Sequence, residues 1–526
     1  MSSLARSAAL AAALLVGIAS ATATGEPQDA APPATKILEV MKRATRFMAE
    51  EVSTDGGYVW NYLPDRSRRW GELEARPTQI WIQPPGTPTM GHLFLDAYHA
   101  TRDEYYYRAA EAVARALIRA QLASGGWNYL ADFAGERSLR EWYDTVGRNA
   151  WRMEEFQHHW GNATFDDSAT AASAKFLLRL YVEKRDARYR AALDKAIGFV
   201  LESQYPSGGW PQRFPRRNEF HRPGQADYTS YVTFNDGVAG ENIEFLVMCH
   251  QALDGDRRLA DAITRGMHAF LVTQLALPQP GWSLQYTTDL QPAAARSYEP
   301  KALATHTTAA NIDLLMRFYR LTGDATFLVR IPDALDWLQG LALPAGVGRR
   351  GDTHPTFVEI GTNKPLYVHR QGSNVVNGKY YVDYDPARTP GHYSAFRRLD
   401  VTGLRSRYEQ LRSMSKADAT AGSPLLAAAG ATPLDRLFVA PRGAELTVAD
   451  AVSGLNEQGY WPARLGSTSH RFTRQGSTAP AAGDFSQSHV GDETDTSPFP
   501  DDTQMGISTS AYLRHMAVLL RAVEVR

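Results

Sequence analysis

The feature that most restricts how this chain can fold is a phrase that keeps returning: an amphipathic helical run that breaks into glycine and then an aromatic residue. "QLASGGWNY" begins at Gln121, "SQYPSGGWPQRFP" at Ser203, "LPQPGWSLQY" at Leu277 and a looser "VSTDGGYVWNY" at Val52. The three later copies each follow apolar residues at helical spacing: Ala110, Val113, Ala114, Leu117 and Ile118; Leu193, Ile197, Val200 and Leu201; Ile263, Met267, Phe270 and Leu271. Glycine just past the last periodic residue suits a left-handed helix stop, and the nearby prolines bar continuation. Upstream, Tyr98, Tyr181 and Tyr319 each end an apolar run, and Asp103, Asp186 and Asp324 follow five residues later before the pattern restarts. Helix, short turn and second helix therefore repeat roughly every 70–85 residues, judged by Trp127, Trp210 and Trp282. The expectation is an all-α dominated body, helical hairpins closing into an α/α toroid, with loops such as 213–233 long enough to carry function.

With 526 residues, 44% of them hydrophobic, the chain can bury a large core, and a formal charge of -1 gives no general attraction to nucleic acid or anionic membrane. The N-terminus "MSSLARSAALAAALLVGIASATATGEP" places Arg6 before an apolar stretch and small residues at Ala19, Ala21 and Ala23, the pattern of a cleavable signal. Export to the periplasm or medium is the expectation, without a membrane span. Cys249 is alone, so no intrachain disulfide is available. The division we expect is 1–23 signal peptide, 24–35 flexible leader, 36–400 toroid and 401–526 C-terminal extension. In that extension "LNEQGYWPARLG" repeats the glycine-aromatic theme, "DETDTSPFPDD" reads as an acidic surface loop, and a final helix carries Leu513, Met516, Leu519 and Leu520 on one face for docking.

Chemistry then has to come from the loops. Three polar clusters precede helices: "NATFDDSATAAS" with Asp166 and Asp167, "YVTFNDGVAGEN" with Asn235 and Asp236, and "ARSYEPKALATHTTA" with Arg296, Tyr298 and Glu299. Helix capping explains any one of them. It does not call for consecutive acids, or for an arginine at the equivalent place in the next repeat. Oxygen donors with little histidine suit a hard cation such as calcium. His158 and His159 point in different directions, have no evident third ligand, and read as loop packing or substrate contact.

"TFDDSAT", "SQYPSGGWPQRFP", "YVTFNDGVAGE", "GWSLQYTTDLQPAAARSYEPKAL" and "PLYVHRQG" occur in an order that resembles the pectic acid lyases of polysaccharide lyase family 10, over roughly Gly161 to Arg398. The resemblance implies an incomplete α/α toroid that cleaves polygalacturonate by calcium-assisted β-elimination. It implies Asp166 and Asp236 as Ca2+ ligands, with Asp167 a further candidate beside them. Arg296 matches the arginine that abstracts the C5 proton, and Arg370 a position that binds a uronate carboxylate. Trp210, Arg213, Asn235 and Tyr298 are expected beside the substrate, an anionic polysaccharide, and the protein is expected to be a monomer. Arg296 raises a difficulty, since arginine is normally always charged. Either its neutral form is made accessible, or it stabilises developing charge while water or hydroxide takes the proton. A glycoside hydrolase using Asp166 and Asp236, and a non-catalytic glycan-binding protein, remain alternatives.

Overall fold

A computed structural model of the chain describes residues 32–147, 154–156, 158–216, 227–253, 256–344, 346–371, 379–387, 389, 394–427, 433–435, 437–439, 446–465 and 505–524. The expected signal segment and the acidic loop lie outside the described residues. Helices alternate between an inner and an outer layer. The helices are α1 (Ala34–Arg46), α2 (Thr87–Thr101), α3 (Glu104–Ala120), α4 (Glu136–Thr145), α5 (Ala169–Lys184), α6 (Ala187–Ser203), α7 (Val238–Ala252), α8 (Arg257–Thr273), α9 (Thr305–Thr322), α10 (Ile331–Gly340), α11 (Val401–Ser413), α12 (Lys416–Thr420), α13 (Val448–Ser453) and α14 (Thr509–Glu524). The inner row runs α14, α2, α5, α7, α9, and α3, α6, α8 and α10 pack behind it. This is the toroid of helical hairpins that the repeats imply.

The repeated residues account for the repeated geometry. Asp103, Asp186, Asp256 and Asp324 each accept the backbone N–H two residues on, at 2.9 Å; the first three so start α3, α6 and α8, and Asp324 starts the 3-10 turn Ala325–Leu328 that leads into α10. Tryptophans meet helix ends: the buried indole N–H of Trp127, Trp210 and Trp282 donates to the Leu117, Val200 and Phe270 carbonyls of α3, α6 and α8, and that of Trp461 to Ala451 of α13, at 2.8–2.9 Å. Each bond satisfies one free carbonyl of a helix end, a contribution of about 1 kcal/mol beyond the ring's burial. Gln121 and Gln204 then tie each turn to the next outer helix, donating to Gly125 and Ala192 and to Gly208 and Ala262.

The glycines do not stop the helices, contrary to the sequence reading. α3, α6 and α8 have already ended at Gln121, Gln204 and Gln274 in extended backbone. Gly125 and Gly208 instead turn at φ +103° and +93°, where an added Cβ would stand 2.2 and 2.0 Å from the Lys195 and Arg265 carbonyls of the next outer helix. Only glycine allows both the backbone angle and that approach.

The last helix sits on the first elements. Tyr512 of α14 hydrogen-bonds Thr45 of α1 at 2.7 Å, and Met516, Leu519 and Leu520 are buried. Strand Met505–Ser508 pairs with Asn61–Tyr62. Farther down the inner helices, backbone N–H groups of Phe438 and Val439 donate to the fully buried Asp96 of α2, and Pro433 accepts from Gln251 of α7. Short antiparallel pairs, 163–164 with 213–214 and 232–233 with 285–286, hold the loops at the opposite end.

Candidate active site

Two of the polar clusters form the same local structure. Strand Ala163–Thr164 leads through the turn Asp166–Ser168 into α5, and Val232–Thr233 leads through Asn235–Gly237 into α7. In both turns two successive residues are left-handed: Asp167 and Ser168 at +48° and +59°, Asp236 and Gly237 at +49° and +71°. Three of these four are not glycine, and each such residue costs on the order of 1 kcal/mol. The kink also turns the acids away from capping, since neither α5 nor α7 has a side-chain cap. The two turns pack on each other. Asp167 is therefore the equivalent of Asp236, and Asp166 that of Asn235.

Arg296 reaches this pair of turns from the third cluster. It is 4% exposed, and its guanidinium is shared among three carboxylates. Nη2 donates to Asp166 at 2.5 Å, Nη1 to Glu299 at 2.9 Å and Nε to Glu155 at 3.3 Å. Glu299 also accepts the Arg296 backbone N–H, so the loop folds around its own ion pair. Tyr129 donates to Asp166 at 2.5 Å, and Asn235 bridges Asp236 and Glu299 at 2.6 and 3.3 Å. Gln83 donates to Asp167 at 2.7 Å and to Glu72 at 3.0 Å.

This crowding of carboxylates sets their proton affinities. Burial pushes Glu155 up to about 7 despite Arg296, and burial likewise raises Glu299. Asp167 is raised well above the usual range by burial and then by Asp236 and Asp166. Asp236 opens to solvent, yet the protein around it and then the Asp166 charge also raise it. Asp166 goes the other way: burial opposes its ionisation, but Arg296 and the Tyr129 hydroxyl outweigh it and hold it low. Arg296 itself is pushed well above its ordinary value, because Asp166, Glu299 and Glu155 outweigh its burial.

The residues expected beside substrate fall into different settings. Arg213 is buried, stacked over Tyr129 and Trp160 at 5.1 and 5.4 Å, and bonded through Nη1 to Asn128 at 3.3 Å. Its Nε and Nη2 have no hydrogen-bond partner among the described residues. Trp210 is a correction: it is fully buried and its N–H is used on Val200, so it packs the hairpin and has no face for a sugar. Tyr298 is also corrected, its ring lying in a small core with Leu284, Phe357, Leu366 and Val368 beneath the Arg296 loop. Arg370 stands in strand Pro365–Gln371 opposite Tyr380, and its side chain lies outside the described residues. Glu155, Glu72, Gln83 and Tyr129 escape the sequence reading. For Glu155 the only available sign is the paired glutamate before "FQHHW".

The donor chemistry fits a hard cation in one respect and leaves it incomplete in another. Asp166 Oδ1 and both amide atoms of the buried Gln212 make no hydrogen bond of ordinary geometry among the described residues, although Gln212 and Asp236 stand near enough to help hold Asp166 low, beside acids whose burial and then mutual repulsion suppress ionisation. Yet among the described residues no three His, Cys, Asp or Glu side chains are gathered closely enough to hold a metal by themselves.

The fold and these residues define an α/α toroid with a buried arginine and an acidic cluster at its loop end. Residues 138–343, which include Glu155, Asp166, Asp167, Asp236, Arg296 and Glu299, match the family model for pectic acid lyase. Among solved structures, a family 10 polysaccharide lyase from Cellvibrio cellulosa is similar at 19% identity, over 61% of this chain and 96% of that one, with a TM-score of 0.42. A mutant of that lyase in complex with trigalacturonic acid gives 0.43. A cellobiose 2-epimerase from Spirochaeta thermophila is similar at 11% identity, over 93% of this chain and 98% of that one, with a TM-score of 0.42. No curated protein matches the chain.

Proposed function

We propose that the protein is a secreted, calcium-assisted pectate lyase that cleaves polygalacturonate by β-elimination, giving unsaturated oligogalacturonates. The observation that carries this reading is the position of Arg296, which shares Asp166 with Tyr129 and is linked to Asp236 through two residues, Glu299 and Asn235. Arginine and acids from three loops thus form one continuous network. Asp166 and Asp236, with Asp167 beside them, would hold Ca2+, the remaining ligands coming from water and a substrate carboxylate. Bound there, the ion would withdraw charge from that carboxylate and acidify the adjoining C–H bond.

The chain's own residues bind and orient. Arg213, with two buried donors unmet, is suited to a uronate carboxylate and is held flat by its two aromatic neighbours. Arg296 is held by three carboxylates, Glu299 of its own loop and Glu155 and Asp166 of the α4–α5 connection, so its charge is aimed before substrate arrives. Of the two roles the sequence leaves open, this setting favours the second. The carboxylates hold the guanidinium protonated, so it stabilises charge developing on the substrate while water or hydroxide accepts the proton.

One observation favours a second reading. Asp166 is held low and Asp236 is raised, the pattern of a base and an acid in hydrolysis. Purified protein is to be tested on a panel of uronate polymers with and without EDTA. Ultraviolet absorbance from a conjugated double bond, abolished by EDTA and restored by Ca2+, is the expected result. New reducing ends without that absorbance would sink the lyase reading and leave the hydrolase.

A further inference from the structure

Beside Asp236 the site wall opens into a cavity of about 440 Å³ between the first turns of α7 and α9. That volume falls within the roughly 300–1,000 Å³ of small-molecule sites. Its polar lining includes His306, Thr307, Asn311 and Arg397, and Phe234 and Phe270 supply apolar wall. Neither helix has a side-chain cap, so two helix N-termini bring partial positive charge to one place. An independent observation points to a ligand: Asn311 is 3% exposed, and its Nδ2 has no hydrogen-bond partner among the described residues. His306 Nδ1 is likewise unpartnered among the described residues, and burial, followed by the Arg397 charge, pushes the ring down to about 3, so the imidazole is neutral. Asp236, at the edge shared with the acidic cluster, is the one carboxylate among the lining residues. The cavity therefore has donors and positive potential to offer and little to accept with, beside apolar rings.

We propose that this cavity is a subsite for one uronate residue of the polysaccharide, next to the residue at the reacting centre. Its carboxylate and hydroxyl oxygens accept from Asn311 and the two helix starts, and Phe234 and Phe270 contact its C–H face. The proposal rests on the uronate-polymer reading above. It adds a specificity determinant on α9, whose Thr307, Ala310 and Asn311 lie outside the Arg296 network.

The test compares the wild type with two variants on galacturonate oligomers differing by one residue in length. Ala310→Trp fills the cavity from an exposed position on α9, where folding is not at stake, and Asn311→Asp places a carboxylate where the ligand's own should lie. In the wild type, one step in length brings a gain in kcat/KM that reflects this subsite. Both variants should lose about tenfold of that gain, the effect of one hydrogen bond to a charged group, and keep wild-type turnover on the shorter oligomer. Length dependence unchanged in both variants would overturn the subsite. Calorimetry with the same oligomers in EDTA separates the two claims. If the wild type forms no unsaturated product but loses oligomer affinity on either substitution, the subsite stands and the lyase reading fails.

Discussion

Replacing Arg296 by alanine should have opposite effects on catalysis and on calcium binding. In the native protein the guanidinium lies 2.5 Å from Asp166 and neutralises a fully buried carboxylate. With charge centres about 4 Å apart and an effective dielectric near 20, the pair is worth about 4 kcal/mol before desolvation. A cation approaching Asp166 gives up part of that attraction and also meets the arginine's charge. If a quarter to a half is surrendered, about 1–2 kcal/mol opposes the ion, so Arg296→Ala should bind Ca2+ about 5- to 30-fold more tightly. Turnover should fall by roughly 3 to 5 orders of magnitude, each order standing for about 1.4 kcal/mol of barrier. Metal-free Arg296→Ala should also melt earlier, since Glu299 and Glu155 lose the same partner, and Ca2+ should raise its melting temperature more than the wild type's. Calorimetric titration with Ca2+, thermal melts with and without EDTA, and kcat on polygalacturonate measure the three effects. Unchanged or weaker Ca2+ binding by Arg296→Ala would refute the competition for Asp166. A nearly active Arg296→Lys would reduce the arginine to a point charge.

The remaining predictions concern proton linkage and packing. Glu155 rises from an unfolded value near 4.5 to about 7, so its contribution to stability is complete below pH 4.5 and lost as pH climbs through 7; metal-free protein should melt progressively earlier across that window, as a pH series of melts will show. The upward shifts of Asp167 and Asp236 act in the same sense, and added Ca2+ should flatten the slope. Trp210→Phe should lower the melting temperature and leave the KM for oligogalacturonate within about twofold, since the lost bond is to a helix carbonyl, worth about 1 kcal/mol; a tenfold rise in KM with unchanged stability would return Trp210 to the cleft. Truncation after Thr420 removes Met516, Leu519 and Leu520, each worth about 1.5–3 kcal/mol when buried, and should yield protein that is insoluble or markedly less stable. A truncated protein equal to the whole in melting and activity would refute the docking of α14.

What was readable in the chain was whatever rests on neighbouring residues. The tyrosine-to-aspartate spacing marked real helix starts because an N-cap acts over two residues, and amphipathic spacing placed the outer helices for the same reason. The family likeness rested on ordered motifs between Gly161 and Arg398, and the matched segment, 138–343, overlaps it but leaves out "PLYVHRQG". The tryptophans were harder, because an aromatic beside glycine reads equally as sugar platform or packing until its burial is known. The glycines were assigned to helix ends because the approach to Lys195 and Arg265 is made by distant residues. The kink at Asp167 and Asp236 depends on positive backbone angles that nothing local in an aspartate announces. Glu155 meets Arg296 across 141 positions, and no pattern of spacing encodes such a meeting.

The joining of the toroid's ends constrains the order in which the chain can mature. Thr45 waits for Tyr512, 467 positions later, and the backbone of Asn456 receives a hydrogen bond from Arg43. During synthesis α2 emerges with its α14-facing side bare, and it stays bare until nearly the whole polypeptide has left the ribosome. Contacts so remote in sequence close slowly, and the unfinished ring presents apolar surface to its surroundings in the meantime. Interrupted translation should therefore leave fragments that aggregate, rather than smaller working rings.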